Sequence, residues 1–264
     1  MSYEQPIKHF SLTLFLIYNL ATLVVIFGSI KLFFPALWQA QLSTPLLVTV
    51  LTFVCCHFVN SFIEYFFHRY ILHAKVIPFF AHFYDAHNKH HELTHVQQQI
   101  VTSNKFPIIE EPQHESSFFP WWTLIVFSLF LTPFFVVIWF VAPQIAIFIA
   151  GYSSLLFSMV LYEIFHMFLH FPLSFWKPKF DHPRFGVLWK YVYTFHLRHH
   201  ANVRCNESIS GFFGMPIPDI LFGTYIQAKT LFPDQTVVPF SEYEVPPPRL
   251  LIRLLDKILI GKRV

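Results

Sequence analysis

Four apolar stretches, at about residues 10–34, 45–72, 119–141 and 145–171, constrain this chain more than any other feature. Each is long enough to cross a hydrocarbon core of about 30 Å as a helix. In lipid, a spanning segment must satisfy its own backbone N–H and C=O groups, so such runs are expected to be α-helical. The expected fold is therefore an all-α integral membrane protein with four transmembrane helices. A composition of 55% hydrophobic and only 12% charged residues agrees, because a water-soluble core of this size needs less apolar surface. The first stretch is too long for the core of a cleaved signal and reads as a retained span.

Two of the stretches overshoot the bilayer. Residues 45–72 form a helix of about 42 Å, so the last turns should stand clear of the lipid. His68 lies 23 residues after Pro45, and His166 lies 22 after Gln144, which puts both at one height, about 33 to 35 Å along. With four spans, residues 73–118 and 172–264 share a face with both termini. Of eighteen Lys and Arg residues, only Lys31 falls near the opposite face, so the enriched face is expected to be cytoplasmic. The membrane would be the endoplasmic reticulum or a bacterial inner membrane. The chain thus reads as a single membrane domain with a cytosolic helical cap at 73–118 and 172–225. Residues 92–118 are expected to be a solvated interfacial loop. The tail at 245–264 pairs leucines with Arg249, Arg253, Lys257, Lys262 and Arg263, as in a helix lying on a membrane surface. Nothing marks a nucleic-acid partner. The three cysteines offer neither a disulfide framework nor a CxxC metal site.

Sixteen histidines are unusual in a chain of this kind, because ionisable groups are costly near lipid and usually mark function. Ten of them form two sets: His68, His73, His87, His90 and His91 in EYFFHRYILH and HNKHH, then His166, His170, His196, His199 and His200 in YEIFHMFLH and HLRHH. In HxxHH all three residues are expected to share one helix face, and His166 and His170 to line up in the same way. His68 and His73, five apart, sit about 140° round an ideal helix and can converge only if the helix ends between them. Ten imidazoles exceed the needs of one metal ion and suit two, with about five nitrogens each and a sixth position open. Imidazole favours Fe, Zn, Cu and Ni. A carboxylate beside a ligating histidine commonly accepts its other ring N–H. Glu64, Glu163 and Asp219 are candidates for that role. His57, in a polar stripe with Ser61, Glu64 and His68, and His95, four residues after His91, are the further candidates around the site.

The four motifs EYFFHRYILH, HNKHH, YEIFHMFLH and HLRHH resemble the histidine boxes of the fatty acid hydroxylase and sterol desaturase superfamily. The segment PIPDILFGTY is similar to that superfamily's closing segment, and the likeness covers roughly residues 60 to 225. It implies a membrane di-iron oxygenase that hydroxylates or desaturates an unactivated C–H bond of a lipid, with the ten histidines as ligands to two Fe ions and O2 as co-substrate. It also implies a separate electron donor: a cytochrome b5, ferredoxin or reductase. The gap between His68 and His73 and the EYxxHR opening are most similar to the fatty acid 2-hydroxylases of sphingolipid acyl chains. The chain departs from those in lacking a fused cytochrome b5 segment before the spans, in a short gap from His73 to His87 and in a long loop after His91. Sterol and carotenoid chemistry therefore stay open as substrates. Two other classes remain as alternatives: a haem-binding membrane electron carrier, and a non-catalytic lipid-binding relative holding zinc, which has no redox chemistry.

Overall fold

A computed structural model of the chain describes residues 11–94, 106–228 and 239–261. Among these residues the regular structure is helical, with only an isolated bridge between Phe212 and Met215. The helices are α1 Leu12–Phe33, α2 Pro35–Ser43, α3 Leu46–Phe67, α4 Ala81–Leu93, α5 Glu111–Ser117, α6 Thr123–Val141, α7 Ile147–Leu169, α8 Leu173–Phe180, α9 Gly186–Ala201, α10 Ile217–Phe222 and α11 Leu250–Leu259. Four helical segments are long and apolar enough to cross a membrane: Leu12–Phe33, Leu46–Leu72, Thr123–Val141 and Ile147–Leu169. They match the four expected stretches to within a few residues.

Two connecting segments are helical, one of them inside the expected loop 92–118. The connection after the first span is α2, opened by Pro35 at its first turn, where a missing N–H costs nothing. Within 92–118, Glu110 and Gln113 form a reciprocal capping box that starts α5. The chain divides into two compact units, one built from Phe10–Phe62 and Phe119–Glu163, the other from Ile63–Phe118 and Ile164–Val264.

The first unit holds α1, α2, α6 and the initial parts of α3 and α7. Its polar groups are paired between helices. Asn60 Nδ2 donates to the Ser154 and Ser158 hydroxyls, and His57 Nδ1 lies 2.9 Å from Ser158 Oγ. Gln41 satisfies the start of α7, accepting from Phe148 N at 2.9 Å. Gly151 lets α7 approach α6 closely, because a Cβ there would sit 2.7 Å from the Phe135 ring.

In the second unit an aromatic core of Phe106, Trp176, Tyr193, Leu197 and Tyr243 packs α8 and α9 together. The helix was expected to end between His68 and His73, but the chain keeps a helical path through Leu72. His68–Leu72 widens into a π-turn, in which His73 N donates to His68 O at 3.1 Å. An i to i+5 repeat brings residues five apart back towards one face, so His68 and His73 converge without a break. The C-terminal helix α11 buries Ile252 and Asp256 and exposes Leu250, Leu251, Leu254 and Ile258. The cations Lys262 and Arg263 of the tail lie outside the described residues.

Candidate metal centre

The ten histidines arrive from the π-turn and its end, from α4, from the last turn of α7 and the residue just after it, and from α9, and all belong to the second unit. They form two groups of five: His68, His73, His87, His91 and His199, and His90, His166, His170, His196 and His200. Within each group the candidate ligand nitrogens all lie within 4.8 Å of one another. These groups are not the two sets that follow from chain order, because His90 and His199 are exchanged. Helix geometry explains the exchange. In HxxHH the residue at i+4 is rotated about 40° from the first, whereas that at i+3 is rotated about 60° in the opposite sense. His87 and His91 therefore serve one group and His90 the other. His196 and His200 likewise diverge from His199.

The inner nitrogens meet at short, uniform separations. In the first group His68 and His87 Nε2 are 3.0 Å apart, His73 and His199 3.0 Å, His87 and His91 3.1 Å, and His73 and His87 3.2 Å. The second group gives 2.9 Å for His170 and His196, 3.1 Å for His196 and His200, and 3.2 Å for His90 and His166. These contacts are not a hydrogen-bonded network, as the outer nitrogens make clear. Nδ1 of His166 faces the Ser117 carbonyl at 3.0 Å, His170 the Phe106 carbonyl at 2.6 Å, and His200 the Thr94 carbonyl at 2.9 Å. His68 and His199 point Nδ1 at the carbonyls of Glu207 at 2.5 Å and Cys205 at 2.8 Å. His90 Nδ1 faces Ser117 Oγ at 2.8 Å, and that hydroxyl already donates to Gln113 O.

A carbonyl only accepts, so each of these imidazoles carries its proton on Nδ1 and presents a bare lone pair at Nε2. His90 and His166 then oppose two acceptors at 3.2 Å. Such an arrangement is repulsive until a cation lies between the lone pairs. A metal held at about 2.1 Å from each imidazole nitrogen places neighbouring donors about 3.0 Å apart in an octahedron and about 3.4 Å apart in a tetrahedron. The observed 2.9–3.2 Å edges fit the octahedron. Each group would offer five donors to such an ion, one fewer than an octahedron takes.

Burial keeps the imidazoles neutral and ready to ligate. Burial, opposed by the Phe106 carbonyl, lowers His170 to about 3, and burial, opposed by the Cys205 carbonyl, lowers His199 to about 4. His87, His90, His196 and His200 are pushed well down by burial and then by the neighbouring imidazoles, His73 for His87, His166 for His90, His170 for His196 and His91 for His200. The groups are not equally enclosed. All of the second group is buried, while His73 and His91 of the first are half-buried.

The candidate carboxylates take a different place from the one expected. Glu64 accepts from the backbone N–H groups of Ile209, Ser210 and Gly211 and from the Ser210 hydroxyl. Asp219 accepts from Glu207 N, Ser208 N and the Thr224 hydroxyl, and burial raises it above the usual carboxylate range. Glu163 accepts from Phe119 N at 2.7 Å. The physical reason is that these carboxylates satisfy loop N–H groups, and the loop carbonyls in turn hold the imidazoles. Asn206, in the left-handed region at φ 55° that Asn tolerates, braces the same loop by bonds to Phe195 O and Ile226 O. His57 belongs to the other unit, paired with Ser158, and His95 lies outside the described residues.

Several residues at the site carry no local sequence signal. Ser117, Phe106, Thr94 and Cys205 act through the contacts just described. Glu207, fully buried, has Oε2 3.5 Å from His68 Nδ1 and Oε1 bonded to Arg69 at 2.8 Å. Arg69 also forms a two-pronged pair with Asp256 of α11, at 3.0 and 2.6 Å, tying the C-terminal helix to the π-turn. Tyr70 adds its hydroxyl to Asp256 at 2.8 Å.

No family model, curated protein or solved structure matches the chain.

Proposed function

We propose that this chain is a membrane-bound di-iron oxygenase that inserts oxygen into an unactivated C–H bond of a lipid, with fatty acyl or sphingolipid hydroxylation as the leading reaction. The observation that carries the reading is the pair of all-imidazole groups, five donors each with octahedral edges, in a chain with four bilayer-length apolar helices. Five donors exceed the tetrahedral four of structural zinc, which favours a redox metal with an open position. A haem plane cannot be placed between imidazole nitrogens 2.9–3.2 Å apart, which disfavours the electron-carrier reading.

Iron bound at the two groups would supply the activation of O2. The chain's own contribution is to fix the imidazole tautomers through the 94, 106, 117, 205 and 207 segments, to hold the rings neutral, and to exclude water by burial. Because the first group contains the half-buried His73 and His91, it is the group that external molecules would reach first. Electrons come from a separate donor, and the site faces the cytoplasm with both termini. Sterol desaturation or oxidation and carotenoid hydroxylation are the neighbouring substrate readings.

Lipid extracts of cells expressing the chain should contain an oxygenated lipid missing from cells expressing a His199→Ala, His200→Ala double variant, which removes one ligand from each group. Identical extracts would end the oxygenase reading. Two non-haem irons per chain should accompany activity; a Soret band or zinc retained in intact membranes would favour the carrier or the non-catalytic relative.

A further inference from the structure

The first unit contains a cleft of about 750 Å3 between α1 with α2 on one side and α6 with the start of α7 on the other. Its volume lies within the range of about 300 to 1,000 Å3 that suits one small organic ligand. The cleft exists because α1 packs loosely: only Phe15 and Asn19 of that helix are buried. Side chains such as Val25, Ile26, Leu129, Val136 and Phe148 make its walls apolar.

Among the polar groups on that wall, two stand out. Ser128 Oγ and Trp139 Nε1 are buried and have no hydrogen-bond partner among the described residues, and both residues line the cleft. The nearby Thr132 and Tyr152 hydroxyls, in contrast, bond to each other at 2.6 Å, and Thr132 also donates to Ser128 O. Eleven residues separate Ser128 from Trp139, which is about three helical turns, so the two share a face of α6 about 16 Å apart. Pro133 has no N–H to offer the carbonyl of Leu129, so α6 also leaves an acceptor beside Ser128. Polar groups buried in an apolar setting require partners, and between bilayer-length helices lipid is the available source.

We propose that this cleft binds one single-chain lipid lengthwise, with a carbonyl or carboxylate oxygen accepting from Trp139 Nε1 and an in-chain hydroxyl meeting Ser128. A plain acyl chain reaches only the first anchor, so the cleft distinguishes oxygenated from unmodified chains. None of the ten histidines lines the cleft, and the proposal does not depend on what they catalyse.

The test uses the full-length protein in mild detergent, equilibrated with added mid-chain hydroxystearate or with stearate and analysed by native mass spectrometry. One molecule of the hydroxy acid per chain is expected, bound about tenfold more tightly than stearate, as one additional hydrogen bond provides. Ser128→Ala should abolish that preference while leaving stearate binding intact. Trp139→Phe should weaken both acids by a similar factor. Equal retention of the two acids, absence of a bound acid, or a preference that survives Ser128→Ala overturns the proposal. Because the lipid is supplied, inactivity of the histidine site leaves the outcome unaffected.

Discussion

Replacing Ser117 by alanine is expected to weaken metal binding at the second group and to leave the first unchanged. Ser117 supports two imidazoles of the second group in different ways: its hydroxyl receives His90 Nδ1 at 2.8 Å and its carbonyl receives His166 Nδ1 at 3.0 Å. Alanine removes only the first. His90 Nδ1–H is then left with the Thr94 hydroxyl, 3.4 Å away, as a weak second acceptor. A buried donor stripped of its partner costs about 1 to 3 kcal/mol, and the residual Thr94 contact holds the loss near 1 to 2 kcal/mol. That converts to about a five- to thirtyfold loss of affinity for one ion. None of the five histidines of the first group touches Ser117 in the bonds above, so its ion should be unchanged. Elemental analysis after stepwise exposure to a chelator measures this directly: wild type and variant should release the first-group ion together, and the variant should lose the other ion earlier. If both ions shift together, or neither does, the assignment of two separate five-imidazole groups is wrong.

Three other perturbations probe the scaffold. Asp256→Ala leaves Arg69 buried with Glu207 as its remaining anion, and should lower stability by about 3 kcal/mol, read as a fall in the thermal midpoint. Little or no fall would mean that α11 is not coupled to the π-turn. Gly151→Ala drives a methyl into the Phe135 ring and should cost about 1 to 3 kcal/mol; an unchanged midpoint would place α6 farther from α7. For the metal-free protein, His170 and His199 titrate near 3 and 4 when folded, below the usual value of about 6.5. Between those limits the unfolded chain binds more protons, so stability rises with pH and is lost as pH falls from about 6.5 towards 4. Thermal melts of the chelated protein across that window should show the decline, and flat melts would contradict the depth of burial.

Spans and histidines were legible because each leaves a local mark: long apolar runs in one case, fixed i, i+3 and i+4 spacings in the other. The remainder depends on contacts far apart in the chain. Glu64 reads like a partner for neighbouring His68, yet its bonds go to residues 145 to 147 positions away. Ideal-helix arithmetic sets His68 and His73 at divergent angles, and only the π-turn reconciles them. The exchange of His90 and His199 was implicit in the 40° and 60° rotations of HxxHH, but which ion each residue serves depends on how α4 meets α9. Segments α2 and α5 were hidden by short length and by Pro at their starts, which reads equally well as a turn.

That exchange also sets an order on biosynthesis. Once residue 91 has been made, the nascent chain holds four of the five imidazoles of the first group, whereas the second group has only His90. His199 and His200 follow 108 and 109 residues later, about 5 to 20 s at ordinary rates of synthesis. The first group could therefore capture an ion while translation continues, with four ligands and no fifth. The second group cannot, because its other four histidines lie in the unmade part of the chain. Any loading would thus be staged by chain order, because the last imidazole of each group, His199 or His200, arrives on the same turn of α9.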